Sequence, residues 1–303
     1  MLAADYRVDL KDRWTGSDAE LLIALHARRS AESIRRWSHD MPGRPVLVVL
    51  TGTDLYRDIH VDASAQESLR LADALVVLQE RGIDELPQHV RAKTIVCFQS
   101  SPRLEALPKT TRHLRALMVG HLRDEKDPQT YFDAARMLAG RSDMLLDHVG
   151  AALQADWAER ARAVEASCPH YRWLGPLGHG VTLGRIRRAH VLVHPSRIEG
   201  GAHVVLEAVQ RGTPVLASRI PGNVGMLGND YAGYFEAGDA AALSALLMHC
   251  RDDPSTLSRL NRMCAARSNL FEPARERATL LDMVRHLTGE NPSRRRVGSI
   301  GTT

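Results

Sequence analysis

The 303 residues carry 44% hydrophobic and 25% charged side chains, the balance of a folded globular chain with enough apolar matter for two domain cores. A net charge of +4 and 5% aromatics, with no recognition motif, leave no basic stripe interleaved with stacking rings, so no nucleic-acid partner is expected. No apolar run reaches the roughly 18 residues that cross a bilayer. Residues 1–14 lack a secretory leader's apolar stretch, and four scattered cysteines without a CxxC pair fit reduced thiols, which together imply a cytoplasmic chain with no membrane partner.

In chain order, "YRVDL" is a first strand candidate. Val/Ile/Leu-rich runs follow at 21–25, 46–50, 75–78, 94–98, 116–120, 144–150, 171–175, 191–194 and 214–218. Between them lie amphipathic segments such as "SAESIRRWSHDMPG" and "DPQTYFDAARMLAG", each closed by Gly. Continuous apolar strands alternating with helices predict parallel sheets buried on both faces. The pattern runs through two sets, so the expected class is α/β, with two doubly wound domains facing a cleft. "SSPRLEALPKTTRHLR" interrupts the periodicity and places the break there. The expected division is 1–112 for the first domain and 113–289 for the second, with a disordered tail over 290–303 that carries part of the basic excess.

Ligands of open α/β sheets sit beyond the carboxyl ends of the strands, so the residues directly after each apolar run are the candidates. The run at 21–25 ends in His26, Arg28 and Arg29, with Ser30 as N-cap of the next helix. Two guanidiniums beside a helix entrance favour an anion. The run at 46–50 ends in Thr51, Gly52, Thr53, Asp54, Tyr56 and Arg57, a polar cluster that is either a site or a tight turn capped by Asp54. Gln99 and Ser100 follow the run at 94–98.

The most informative stretch is "PSRIEGGAHVVLEAVQRGTPVLAS". A strand end, Glu199, Gly200, Gly201 and a helix with Glu207 two turns on are followed by Gly212, Pro214 and another strand. Free amides and the helix dipole suit a phosphate there, paired glycines allow close approach, and a carboxylate can accept from sugar hydroxyls. Taken singly, Glu199 could equally be a dipole-capping acid and Glu207 a solvated helix residue. The nearest dinucleotide fingerprint, at Gly175, Gly178 and Gly180, has its glycines in the wrong order. Fourteen histidines form no recognisable metal-ligand set.

As a whole this string resembles the C-terminal signature of the GT-B fold glycosyltransferases of family 4, and the resemblance extends to "RALMVGHLRDEKDP". It implies that Glu199 and His26 contact a donor sugar and that Glu207 contacts a nucleotide ribose. The amides around Gly200, Gly201 and Ala202 would hold a diphosphate neutralised by Lys126 and an arginine after Gly120. His121 stands where that arginine is usual, and Arg123 is expected to replace it. The bland reading of Arg123, Lys126 and Asp127 is a solvated loop. By the same resemblance, Gly175 lies at the base-binding strand end and Gly222 in the loop covering the nucleotide. No obligate cofactor or metal is implied, with a UDP-sugar as co-substrate.

"LIALHARRSAESI", "VLTGTDLYRDI" and "SLRLADALVVLQE" narrow the likeness to the selenosugar synthases of selenoneine biosynthesis. That branch joins a hexose or N-acetylhexosamine to selenium delivered as selenophosphate. Arg28, Arg29 and Arg57, with Thr51, Gly52, Thr53 and Asp54, would then bind the acceptor. Relative to the family, about one opening βα unit is absent, which implies reduced or absent activity unless a partner or alternative packing fills the gap. A carbohydrate or lipid acceptor, or nucleotide-sugar binding without turnover, are the alternatives.

Overall fold

The structure is a computed structural model that describes residues 1–289; the tail expected to be disordered lies outside them. A first set of elements runs β1 (Leu22–Leu25), α1 (Ala31–Asp40), β2 (Val46–Val49), α2 (Ile59–Val61), α3 (Ala63–Leu71), β3 (Ala74–Val77), α4 (Gln88–Arg91) and β4 (Thr94–Val96). These four strands pair in parallel in the order β1-β2-β3-β4. After an irregular connection come β5 (Leu114–Val119), α5 (Pro128–Met137), β6 (Met144–Val149), α6 (Ala155–Ser167), β7 (Tyr171–Trp173), α7 (His179–Arg188) and β8 (Val191–His194). The chain continues with α8 (His203–Val209), β9 (Val215–Ser218), α9 (Pro221–Leu227), β10 (Tyr234–Phe235), α10 (Ala240–Asp252), α11 (Pro254–Arg267) and α12 (Pro273–Thr288). Here the parallel order is β10-β9-β8-β5-β6-β7. Two parallel α/β sheets are therefore present, as the alternating runs predict.

The strands are parallel because their residues are apolar on both sides. Val46, Leu47 and Val48 of β2 are buried, as are all four residues of β3, β8 and β9. Each sheet has its own core. The first gathers Trp14, Ile34, Trp37, Leu50, Leu55 and Leu75, and the second Tyr131, Phe132, Leu146, Tyr171, Leu192 and Phe271. The C-terminal helix returns to the first sheet, where Met283 joins Leu47, Ala74, Val76 and Cys97. All four cysteines are buried and unpaired.

Two local expectations fail. "YRVDL" is irregular, with Val8 and Leu10 exposed, and β1 rather than this segment stands at the sheet edge. A strand needs a neighbouring strand to pair with, and among the described residues β1 pairs with β2 and not with this segment. Ser30 precedes α1 but does not cap it: its hydroxyl donates to the Leu25 carbonyl at 2.6 Å instead.

Topology then selects one place. The winding of the second sheet runs from β5 through β6 to β7, then reverses to β8 on the other side of β5. The carboxyl ends of β5 and β8 flank that reversal, the position where an open parallel sheet leaves a crevice. Gly120 to Lys126 leave one strand there, and Pro195 to Glu199 leave the other.

Candidate active site

From β5 the chain turns at Gly120 and presents Lys126, whose Nζ donates to Oε1 of Glu199 beyond β8. Nε2 of His194, the last residue of β8, lies 3.2 Å from the same oxygen. Glu199 is 9% exposed. Burial works against its charge, but His194 and Lys126 outweigh burial and hold the carboxyl well below the ordinary carboxylate range. Asp127 fixes the lysine turn. With φ at 46° it stands at the entrance of α5, accepts from Thr130 Oγ1 at 2.7 Å and lies 3.2 Å from Arg197 Nη2.

Glu207 sits on α8 with 5% exposure. His179 Nε2 approaches its Oε1 at 2.7 Å, and His203, one turn before it, lies at 3.5 Å. Its backbone carbonyl and the Ser101 hydroxyl anchor the buried Arg211 guanidinium, which ties α8 to the interlobe connection.

The first lobe contributes a second polar centre. His26 follows β1 with φ at 71°, a conformation that costs a non-glycine residue on the order of 1 kcal/mol. The surrounding turn over-determines it. Nε2 is 3.1 Å from Thr53 Oγ1, and Nδ1 receives the Arg29 amide at 3.4 Å. That arrangement assigns the proton to Nε2 in the neutral ring. Burial pulls the imidazole pKa down, as do Arg29 and Arg28, against the opposing pull of Asp54 and Asp58. Asp54, fully buried, accepts from Thr51 N at 2.6 Å, Thr51 Oγ1 at 2.8 Å and Ala27 N at 2.8 Å. Its oxygens are thus committed to the turn, so it positions the β1 and β2 ends rather than offering itself to an acceptor.

Arg28 and Arg57 both lean on Asp58, through Nε to Oδ2 at 2.8 Å and Nε to Oδ1 at 3.1 Å. Burial alone would raise that acid; the hydrogen bonds from Arg57 and Arg28 overcome it and keep it ionised. One carboxylate for two guanidiniums leaves a positive rim, and both arginines remain about half exposed. Arg29 is exposed beside them.

The two centres meet through glycine. A Cβ on Gly200 would lie 2.5 Å from the Gly52 nitrogen, and one on Gly52 would lie 2.8 Å from the Gly200 nitrogen. Gly201 is equally tight against Leu78 of the first lobe. The paired glycines, expected to let a ligand approach the backbone, also let the other lobe come this close. Gly222, on α9, packs on the Glu199 carbonyl at a distance no side chain would tolerate. An ion pair and a hydrogen bond continue the contact, with Arg267 Nη2 3.0 Å from Glu80 Oε2 and Arg81 Nη2 donating to Asn229 Oδ1 at 2.8 Å.

Of the expected residues, Lys126, Glu199, Gly200, Gly201, Gly222, Thr51, Gly52, Thr53 and His26 line this junction or brace it directly. Ala202 is the buried N-cap of α8. Gly175, with φ at 65°, accepts from the Gly150 amide at the end of β7. Arg123 stands apart from the Lys126–Glu199 pair: its side chain is 45% exposed and its nearest carboxylate is Glu125 at 3.8 Å. His121 faces Ala151, accepting its amide at Nδ1. Sequence reasoning missed Asp58, His179, His194 and His203. His194 was findable, as a histidine closing the apolar run "VLVH"; the pairing of His179 with Glu207 left no sequence signal. Among the described residues no group of three or more His, Cys, Asp or Glu is arranged to hold a metal ion, and no helix is long and apolar enough to span a membrane.

Residues 103–264 match the family model for glycosyl transferases group 1. A glycogen synthase of Mycobacterium tuberculosis is 33% identical over 160 residues, which is 51% of this chain but 37% of that protein. The D-inositol 3-phosphate glycosyltransferase of Streptomyces avermitilis is 34% identical over 101 residues, 33% of this chain and 22% of its own length. The chain therefore spans 37% and 22% of the lengths of these curated relatives. In fold it is similar to sucrose-phosphate synthase from Thermosynechococcus elongatus, at a TM-score of 0.73 and 20% identity over 90% of this chain and 74% of that one. It is also similar to Anabaena HepE, solved in complex with UDP and glucose, at 0.72 and 14% identity over 88% and 78%. With more than half of its length matched by the family model, and with two parallel-sheet domains of GT-B form, the chain belongs to the group 1 glycosyl transferases.

Proposed function

We propose that this chain transfers a hexose or N-acetylhexosamine from a UDP-sugar, with the nucleotide held on the second lobe and the acceptor met by the first. The observation that carries this is the meeting of Lys126 and Glu199 beside the Gly52–Gly200 contact, at the strand reversal. Breaking the bond between the sugar C1 and the diphosphate oxygen puts charge on the leaving UDP. A lysine ammonium and the amides of residues 200–202 are the groups able to stabilise it, each worth roughly 3 kcal/mol. In the present arrangement Glu199 occupies the ammonium. An arriving diphosphate would take over Lys126 and free Glu199 to accept from donor hydroxyls. Glu207 would exchange His179 for the ribose hydroxyls, and neutral His26 would turn its single N–H, at Nε2, from Thr53 to a donor-sugar hydroxyl. Two lobes already in contact exclude water from that step.

For the acceptor we propose selenophosphate, so that C1 bonds to selenium as UDP leaves. The support is the selenosugar-synthase-like segments of the first lobe together with the surplus cationic rim of Arg28, Arg29 and Arg57. Release of UDP from UDP-glucose and UDP-N-acetylglucosamine, with and without selenophosphate, tests both statements. Release that depends on selenophosphate supports them. Release only with a carbohydrate or lipid acceptor removes the selenium reading, and UDP binding with no release under any acceptor removes the transferase reading.

A further inference from the structure

The second sheet has another polar place, away from the junction. On the sheet face beneath α7, where a doubly wound fold normally buries apolar side chains, Leu117, Asp147 and Arg172 stand side by side in register on β5, β6 and β7. Arg115 lies two positions before Leu117 on that same face. Together with Gly180, Val181, Gly184, Arg185 and Arg188 of α7, residues Arg115, Leu117 and Asp147 line a cavity of about 430 Å³.

The charges there do not balance. Asp147 is 1% exposed, and Arg172 neutralises it through Nε and Nη2 at 2.9 and 2.6 Å from Oδ1. Arg185 and Arg115 only approach the other oxygen, at 3.6 and 3.9 Å, and the buried Arg115 Nε has no hydrogen-bond partner. Among the described residues Arg188 hydrogen-bonds the Gly184 carbonyl alone, at 3.5 Å. Four guanidiniums thus surround one carboxylate, and Asp147 is the single acid among the lining residues. A buried N–H donor without an acceptor is unfavourable. An anion with several acceptor oxygens relieves it, and the planar guanidinium fork matches phosphate.

We propose that this cavity is a binding site for a small phosphomonoester. The phosphate would lie among Arg115, Arg185 and Arg188, and the organic part against Leu117 and Val181. The volume exceeds what a bare phosphate fills, and the apolar wall favours an ester over the inorganic ion. The site stands independently of the transferase reading, since it shares no residue with the junction of the lobes.

The test is calorimetric titration of the full chain with phenyl phosphate, inorganic phosphate and the uncharged benzyl alcohol, each with and without saturating UDP. Phenyl phosphate should bind more tightly than inorganic phosphate, with no detectable binding of benzyl alcohol and no displacement by UDP. Arg188→Ala, which disturbs only an exposed side chain, and Arg115→Met, which keeps the buried stem, should each weaken phenyl phosphate at least tenfold and leave UDP affinity within twofold. Absence of phenyl phosphate binding at millimolar concentration overturns the proposal. Binding that UDP displaces, or that neither substitution weakens, places the probe elsewhere and overturns it as well.

Discussion

The two strand-end centres that face each other across Gly52 and Gly200 are built by opposite means. In the second lobe a buried acid is kept charged by a lysine and a histidine from separate strands, an ionic cluster whose partners can be exchanged. In the first lobe a neutral, conformationally strained histidine is locked by Thr53, Asp54 and Asp58, and its charges point outward as an arginine rim. The contrast teaches that one lobe offers fixed hydrogen-bond geometry while the other offers movable charge. Fixed geometry suits orientation of a sugar, and movable charge suits a leaving diphosphate.

Breaking the charged side should have the largest effect. Lys126→Met is expected to lower turnover with a UDP-sugar by about 10²–10³-fold, the usual cost of one lost electrostatic donor, while the protein stays folded because the apolar stem still packs near Gly120. Retention of more than a third of wild-type turnover would remove the lysine from the chemistry. Attacking the contact itself comes next. Gly200→Val places atoms inside the Gly52 backbone, and overpacking of about 1–3 kcal/mol should disfavour lobe contact, with a roughly 10–100-fold loss of turnover and a larger radius of gyration by X-ray scattering. An unchanged radius and full activity would mean that the contact plays no part.

The fixed side is probed by His26→Ala. Turnover should fall roughly tenfold through loss of one hydrogen bond, with UDP affinity unaltered, because the histidine belongs to the other lobe. A parallel loss of UDP affinity would dissolve the distinction between the two centres. Glu207→Ala should show the reverse, weakening UDP by about tenfold, measured by calorimetry.

The sheets and the C-terminal half of this site were legible because their signals are local. A short Val-rich run such as "VLVH", bounded by turn residues, reads as a buried strand, and "PSRIEGG" after it marks the strand end. The first lobe was less legible. Whether Asp54 serves a ligand or its own turn depends on the Ala27 amide, 27 residues away in sequence, and nothing in "TGTDLYRD" announces that partner. The direction of Arg123 was not legible for a related reason: the strand ends at Val119, so the strand alternation that would put residues 121 and 123 on one face no longer applies. The meaning of Gly200 and Gly201 required knowing that the other lobe arrives there.

The smallest expected effect concerns the support beneath Gly120. His148 is fully buried, with Nε2 3.2 Å from the Gly120 carbonyl and Nδ1 3.1 Å from the Tyr171 hydroxyl, and burial pushes its pKa down to about 4. The unfolded chain binds that proton near pH 6.5. The neutral ring's contribution is therefore intact above about 6.5 and is lost as pH falls toward 4, at up to about 1.4 kcal/mol per pH unit. Urea unfolding of wild type and His148→Gln across this window checks it: the wild type should have the steeper acid dependence, and equal slopes would contradict the assignment.

The most direct test of the central claim is a crystal structure of the full chain with UDP. The account predicts the diphosphate between the lobes, within hydrogen-bonding distance of Lys126 Nζ and the Gly200 and Gly201 amides, with the ribose on Glu207 in place of His179. A diphosphate bound elsewhere, with Lys126 still on Glu199 and His179 still on Glu207, would contradict it.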